Sequence, residues 1–196
     1  MFRVPFLVAL ALSVAFGLGI ASAVQALKTT VGFGVIALGP WTAFPNAQTA
    51  SADPYARAHR ARQGRLLYGG AEGLQFIASV DSAGAPLEAA CAYEIAGQTP
   101  VARFWTLYMT DLQDRTLTAA PELPTALNSW TALHEGDGVI HIRLSAAAQP
   151  GNWLALTAAG PFRLVLTLLD TPTAGSSGLI DLGMPAIRKL GCGSHA

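Results

Sequence analysis

Histidines, cysteines and a scatter of single acids are what this 196-residue chain offers for chemistry. The four histidines, His59, His134, His141 and His195, do not fall at metal-ligand spacings. His134 and His141 flank a Glu135-Gly-Asp-Gly138 turn and could approach across a hairpin, but no second pair with carboxylates completes a site. No serine sits in a Gly-x-Ser-x-Gly elbow, and Gly175-Ser-Ser-Gly178 lacks the strand-turn-helix context of such a nucleophile. Asp111 and Asp114 are the closest carboxylates on one loop. A glycosidase-like acid/base pair built on them would need distant residues, whereas an aspartate beside a turn ordinarily caps backbone N–H groups. No catalytic, cofactor-binding or metal residue is therefore assigned, which weighs against an enzyme without deciding the matter.

Two further sets carry interaction chemistry. Cys91 and Cys192 are the only cysteines. In an oxidising compartment they would form a disulfide, worth about 4.7 kcal/mol for a loop of about 100 residues in the chain-entropy account; the alternative is two free buried thiols. Tyr93, Trp105, Tyr108, Trp130 and Trp153 could form an aromatic platform for a sugar or a partner, although such rings are equally the largest core fillers. Tyr93, Arg103, Trp105, Asp111 and Trp153 are the candidate ligand or partner surface. Arg57, Arg60, Arg62 and Arg65 could hold an anion or touch acidic headgroups, or simply form a solvated helix face.

The stretch Gln98–Asp111 is the organising element among those that must position these residues. Arg103, Trp105, Leu107 and Met109 alternate with Ala102, Phe104, Thr106 and Tyr108, so both faces carry bulk, as in a central strand of a sandwich or barrel. Asp53-Pro54 opens a short helix as cap and first-turn proline, and Gly64 closes it. Leu74–Val80 and Leu87–Ile95 read as strands of a hairpin turned at Asp81-Ser-Ala-Gly84. Leu87, Ala89, Cys91, Tyr93 and Ile95 share an inward face opposite Glu88 and Glu94. After the Glu135–Gly138 turn, Ile140, Ile142 and Leu144 face the core while His141 and Arg143 face away. Gln149–Leu154 makes a tight corner, and Phe162–Asp170 is the last strong strand. About seven short strands with Gly/Pro turns and one early helix indicate an all-β sandwich.

Ahead of these lies an uncharged run from Val4 to Val24, preceded by Arg3. As a helix it is about 31 Å long, enough to cross a hydrocarbon core of about 30 Å. Ala21-Ser22-Ala23 has the form of a signal cleavage site, so a removed leader is the alternative to an uncleaved anchor. Either route sends the following domain across the membrane, since Arg3 holds the start on the cytoplasmic side. In a retained anchor, Gly17 with Ala21 and Gly19 with Ala23 form small-residue pairs that would let a second helix approach closely. The chain divides into an anchor or signal segment over 1–27, a linker and edge strand over 28–52, and a periplasmic sandwich with its leading helix over 53–196. Twelve basic and twelve acidic side chains give a net charge of +0, which excludes a nucleic-acid binder relying on a strongly basic face. Only 12% of residues are charged, against roughly 25% in ordinary soluble domains, leaving much surface weakly polar.

Phe104-Trp-Thr-Leu-Tyr-Met-Thr-Asp111, Asn152-Trp-Leu154 and the Phe162–Asp170 strand together resemble a bacterial family known as domain of unknown function twelve-fourteen. The resemblance runs from Leu74 to Cys192, and Asp53-Pro-Tyr-Ala-Arg-Ala58 with Ala61-Arg62 is similar to the lead-in of its short, membrane-anchored proteobacterial members. It implies a jelly-roll-like antiparallel β-sandwich behind an N-terminal transmembrane helix, and it carries no catalytic residue over. Thr106, Tyr108 and Thr110 depart from the family's Ser, Thr and Tyr. Ala155 stands where the family tends to have Pro, and Thr167 and Leu169 replace its Arg and Tyr, removing polar handles.

The resulting expectation is a single-pass inner-membrane protein with its sandwich in the periplasm, or a secreted periplasmic protein after cleavage. It would act as an accessory or interaction subunit of an envelope or membrane protein complex. Its partners are the lipid bilayer and a membrane protein, with carbohydrate binding or processing as the alternative.

Overall fold

A computed structural model describes residues 3–29, 35–45, 52–63, 73–157, 159–172 and 183–193. The chain forms two compact units, one comprising Met1–Phe33 with Ala50–Leu66 and the other Gly34–Thr49 with Leu67–Ala196. The short helix expected at the head of the sandwich thus belongs to the first unit.

The first unit contains α1 (Arg3–Thr29) and α2 (Pro54–Gln63), which touch each other. Over Arg3–Ala26, α1 is long and apolar enough to cross a membrane. Every side chain from Arg3 to Gln25 is exposed, so in water a continuous apolar surface would be left uncovered. The start of α2 follows the local rule: the Asp53 carboxylate accepts the N–H groups of Tyr55 at 2.9 Å and Ala56 at 3.1 Å. Pro54 takes the first helical position, where no N–H is needed. Gly64, Arg65 and the Arg62 side chain lie outside the described residues, as does the His59 side chain.

Among the described residues the second unit holds ten strands in two sheets. They are β1 (Ile36–Leu38), β2 (Trp41–Ala43), β3 (Gly73–Ala78), β4 (Cys91–Gly97), β5 (Phe104–Thr110), β6 (Ala126–Asn128), β7 (Ile140–Ser145), β8 (Asn152–Ala155), β9 (Arg163–Leu169) and β10 (Ala186–Cys192). One sheet runs β1-β2-β3-β9-β5-β6 and the other β10-β4-β7-β8. Period-two patterns decide which faces meet: Trp105, Leu107 and Met109 of β5, and Ile140, Ile142 and Leu144 of β7, are all buried in one shared core. The chain passes repeatedly between the sheets, β3 to β4 to β5 and β8 to β9 to β10, which makes the sandwich jelly-roll-like. Among the described residues the strand pairs are antiparallel except β7 with β8, which run parallel after the corner at Gly151.

Two expectations need correction. The Gln98–Asp111 stretch becomes a strand only from Phe104, and β5 lies second from an edge. The more central β9 is buried on both faces from Leu164 to Leu168. The Asp81–Gly84 turn forms, with Asp81 Oδ1 accepting the N–H groups of Ala83 and Ala85 at 2.9 Å each and Gly84 at φ 84°. Yet β3 and β4 enter different sheets. Each carries its own row of large inward side chains, Leu74 and Phe76 against Tyr93 and Ile95, and opposing sheets let both rows reach the same core.

Cys91 and Cys192 form the disulfide, with S–S 2.07 Å, tying the last strand to β4 where the two residues stand opposite each other.

Candidate functional site

The outer face of the four-stranded sheet concentrates the charge chemistry. Cross-strand register sets Arg188 of β10 beside Glu94 of β4, Glu94 beside Arg143 of β7, and Arg143 beside Trp153 of β8. One row of side chains therefore crosses all four strands. Glu94 was expected on the solvent side, and it is on that face, but it is only 5% exposed. The long arginines on either side cover it, as their stems lie along the sheet while their heads reach water. Arg188 hydrogen-bonds one carboxylate oxygen, and Arg143 Nη2 lies 3.2 Å from the other. The hydrogen bond from Arg188, with the positive charge of Arg143, outweighs burial and holds the Glu94 carboxyl below the usual glutamate range.

His141, also on β7, stands with Nδ1 3.8 Å from Glu94 and Nε2 3.6 Å from Glu135 of the neighbouring hairpin. That hairpin closes as its sequence suggests, with Gly138 N–H donating to Glu135 O and Glu135 N–H to Val139 O, each at 2.9 Å. Between it and the sheet lies a cleft of about 310 Å³ walled by Glu94, His134, Glu135, His141, Arg143 and Asn152. Asn152 holds the walls together. Its amide donates to Leu133 O at 2.8 Å and His141 O at 2.9 Å, and its Oδ1 accepts Leu133 N–H at 2.7 Å. His134 and His141 thus do meet at one cleft. Among the described residues no group of three or more His, Cys, Asp and Glu side chains is placed to hold a metal ion. His195 and Gly175–Gly178 lie outside the described residues.

The five residues singled out as a ligand or partner surface do not converge. Tyr93 is fully buried and Trp105 is 3% exposed, so both are core fillers. The Tyr93 hydroxyl accepts Glu88 N–H at 2.8 Å and donates to Glu88 O, and burial pushes its pKa up. Arg103 is exposed and pairs with Asp170 at 3.5 Å. Asp111 caps its own turn, accepting the N–H groups of Gln113 and Arg115 and the Arg115 Nε at 2.6 Å. Desolvation alone would raise its pKa; the bonds from Arg115 and Gln113 lower it on balance. Asp114 is taken by Arg163 at 3.0 Å, so each acid of that loop is bound to its own arginine rather than to the other acid. Of the five, only Trp153 borders the charged row; it is half-buried, with Nε1 donating to Ser145 O at 3.1 Å. Trp130 is bare, edge-on to Phe104 with ring centres 5.1 Å apart. On α1, Gly17 and Gly19 have open space where a Cβ would stand, and Ala21 and Ala23 are exposed.

Glu94, Arg188 and Asn152 are the residues that sequence reasoning missed as a group. A lone acid inside the apolar run Cys-Ala-Tyr-Glu-Ile was the available signal, since an outward glutamate in a strand invites an arginine across the ladder.

An N-terminal apolar helix and a mostly antiparallel two-sheet sandwich define the class of protein. Residues 72–173 match the family described as protein of unknown function (DUF1214), and the chain belongs to that family. Strand β10 and Cys192 lie beyond the matched segment. No curated protein matches the chain. Among solved structures it is similar to the VPA0106 protein from Vibrio parahaemolyticus, at 18% identity and TM-score 0.62, over 91% of this chain and 44% of that one. A putative uncharacterized protein from Burkholderia cenocepacia is similar at 16% identity and TM-score 0.47, over 61% of this chain and 30% of that one. The chain thus spans less than half the length of either neighbour.

Proposed function

We propose that the protein is held in the bacterial inner membrane by α1 and carries its β-sandwich in the periplasm as an accessory or interaction subunit of an envelope or membrane protein complex. The observation that carries this reading is the uncovered apolar surface of α1 from Arg3 to Gln25, which requires lipid or another helix around it. Arg3 ahead of the span favours a cytoplasmic start, and a Cys91–Cys192 disulfide suits an oxidising compartment on the far side. The carbohydrate reading needed a groove lined by tryptophan and tyrosine. Tyr93 and Trp105 fill the core instead and the charged cleft has no tryptophan or tyrosine in its wall, while Trp130 is exposed and Tyr108 and Trp153 are half-buried, so that alternative has less support than the membrane reading.

The test uses the full chain expressed at native level. Alkaline extraction should leave it in the membrane pellet, intact mass should include the first 27 residues, and an external protease should digest the sandwich only after the outer envelope is opened. Size in mild detergent should exceed that of protein plus micelle. A leaderless, monomeric protein released freely from the periplasm would overturn the proposal.

A further inference from the structure

The cleft beside β7 is rich in unspent hydrogen-bond donors. The two carboxylate oxygens of Glu94 face Arg188, Arg143 and His141, and the side-chain amide of Asn152 is used entirely on Leu133 and His141. What remains open toward the cleft includes the Arg143 guanidinium and at least one ring N–H on His134. Arg143 spends one amino group on Glu94, and among the described residues its other N–H groups have no protein partner. His134 makes only a ring contact with Trp105, with centres 6.4 Å apart, and its ring nitrogens have no partner among the described residues. The Glu135 carboxylate lies at the outer rim, where it is 64% exposed. The buried Glu94 carboxylate fixes the Arg143 fork in advance, so little side-chain freedom is left to lose on binding.

We propose that this cleft binds a small oxyanion, a carboxylate or a phosphate-type group, held by Arg143 with His134 and His141. A site offering donors asks for acceptors from its ligand, and a guanidinium matches a planar carboxylate or two phosphate oxygens in pairs. The volume of about 310 Å³ stands at the small end of ligand pockets and suits a compact group rather than a polymer. The proposal is independent of α1 and of any protein partner, and it does not invoke bond-making.

The experiment is calorimetric titration of the full chain in detergent micelles with inorganic phosphate, acetate, succinate and, as a neutral probe, glucose. Histidine side-chain NMR follows which imidazoles respond, with assignments from single His→Gln variants. At least one oxyanion should bind saturably, on the order of millimolar, moving the His134 and His141 signals while glucose moves neither. The phosphate and carboxylate arms identify which source of the shared chemistry is preferred. Arg143→Gln should weaken binding roughly tenfold or more. His134→Gln, in an exposed loop away from the ion-pair row, should weaken it by a smaller factor and guards against a folding defect in the first variant. Absence of saturable binding, glucose binding as tightly as the oxyanions, or oxyanion binding unchanged in both variants would each overturn the proposal.

Discussion

Glu94→Gln keeps the side chain's shape and removes its charge, and its cost can be worked from the surroundings. The wild-type carboxylate is 5% exposed and engages Arg188 and Arg143. A hydrogen bond to a charged group contributes about 1.5–3 kcal/mol. The arginine heads are 71% and 44% exposed and regain water when the charge is lost, which reduces the figure toward the 0–1 kcal/mol of surface pairs. The net expectation is a loss of about 1–3 kcal/mol near pH 7. Because the folded carboxyl has its pKa held low, the unfolded chain binds the proton more readily. The contribution is therefore full above the ordinary glutamate pKa of about 4.3 and disappears as pH falls through the folded value. Urea unfolding of the full chain in micelles, followed by the fluorescence of buried Trp41 and Trp105, should show a wild-type advantage at about pH 7 that narrows progressively below about pH 4. Equal stability at neutral pH would refute the reasoning. So would a gap of constant size across that range, since it would place the effect in packing rather than in charge.

The double change Cys91→Ser with Cys192→Ser should cost about 2–4 kcal/mol, or roughly 4–16 °C in Tm for a domain of this size, and reductant should have the same effect on wild type; overlapping melts would count against it. Asn152→Ala removes three hydrogen bonds and leaves partly buried backbone groups of Leu133 and His141 without those partners. It should cost about 2–4 kcal/mol, with faster amide exchange at Leu133 as its specific mark. Gly97 has φ 140°, and an added Cβ would stand 3.0 Å from the Pro185 backbone, whereas Gly138, at φ 80°, has open space around it. Gly97→Ala should therefore destabilise more than Gly138→Ala, which carries only a conformational cost of about 1–2 kcal/mol, and urea midpoints in the reverse order would contradict this.

What the sequence reveals is governed by how local the cause is. Asp53 capping α2, the Asp81 turn and the Glu135–Gly138 hairpin each depend on a few neighbouring residues, and all three form locally, although the strands flanking the Asp81 turn enter different sheets. The alternation of β5 and β7 was legible for the same reason, since a period of two needs no partner to be seen. Tyr93 and Trp105 were misplaced onto a surface because ring chemistry alone does not distinguish a platform from a filler; being on the inward phase of their strands was the better guide. The Glu94 cluster was legible only as a lone acid in an apolar strand, because Glu94, Arg143 and Arg188 meet only through the register of three strands far apart in sequence.

That register has a physical lock which the sequence also contains, though only the fold explains it. On β4, Cys91 and Glu94 are three positions apart; on β10, their partners Cys192 and Arg188 are four apart. An unbroken antiparallel ladder could satisfy the disulfide or the ion pair, but not both. The irregularity between Lys189 and Gly191 takes up the extra residue, and both pairings form. Slipping β10 by one residue would break the Cys91–Cys192 bridge and carry Arg188 to the opposite face. The covalent tie therefore holds the arginine over Glu94. Deleting Leu190, the extra residue of the bulge, leaves Arg188 and Cys192 three positions apart, the spacing of Glu94 and Cys91, so a regular ladder satisfies both pairings. The deletion variant should therefore keep an unreactive cysteine pair together with a Glu94 carboxyl below the usual glutamate range. Free thiols, or a Glu94 carboxyl returned to the ordinary range, would contradict this account of the bulge.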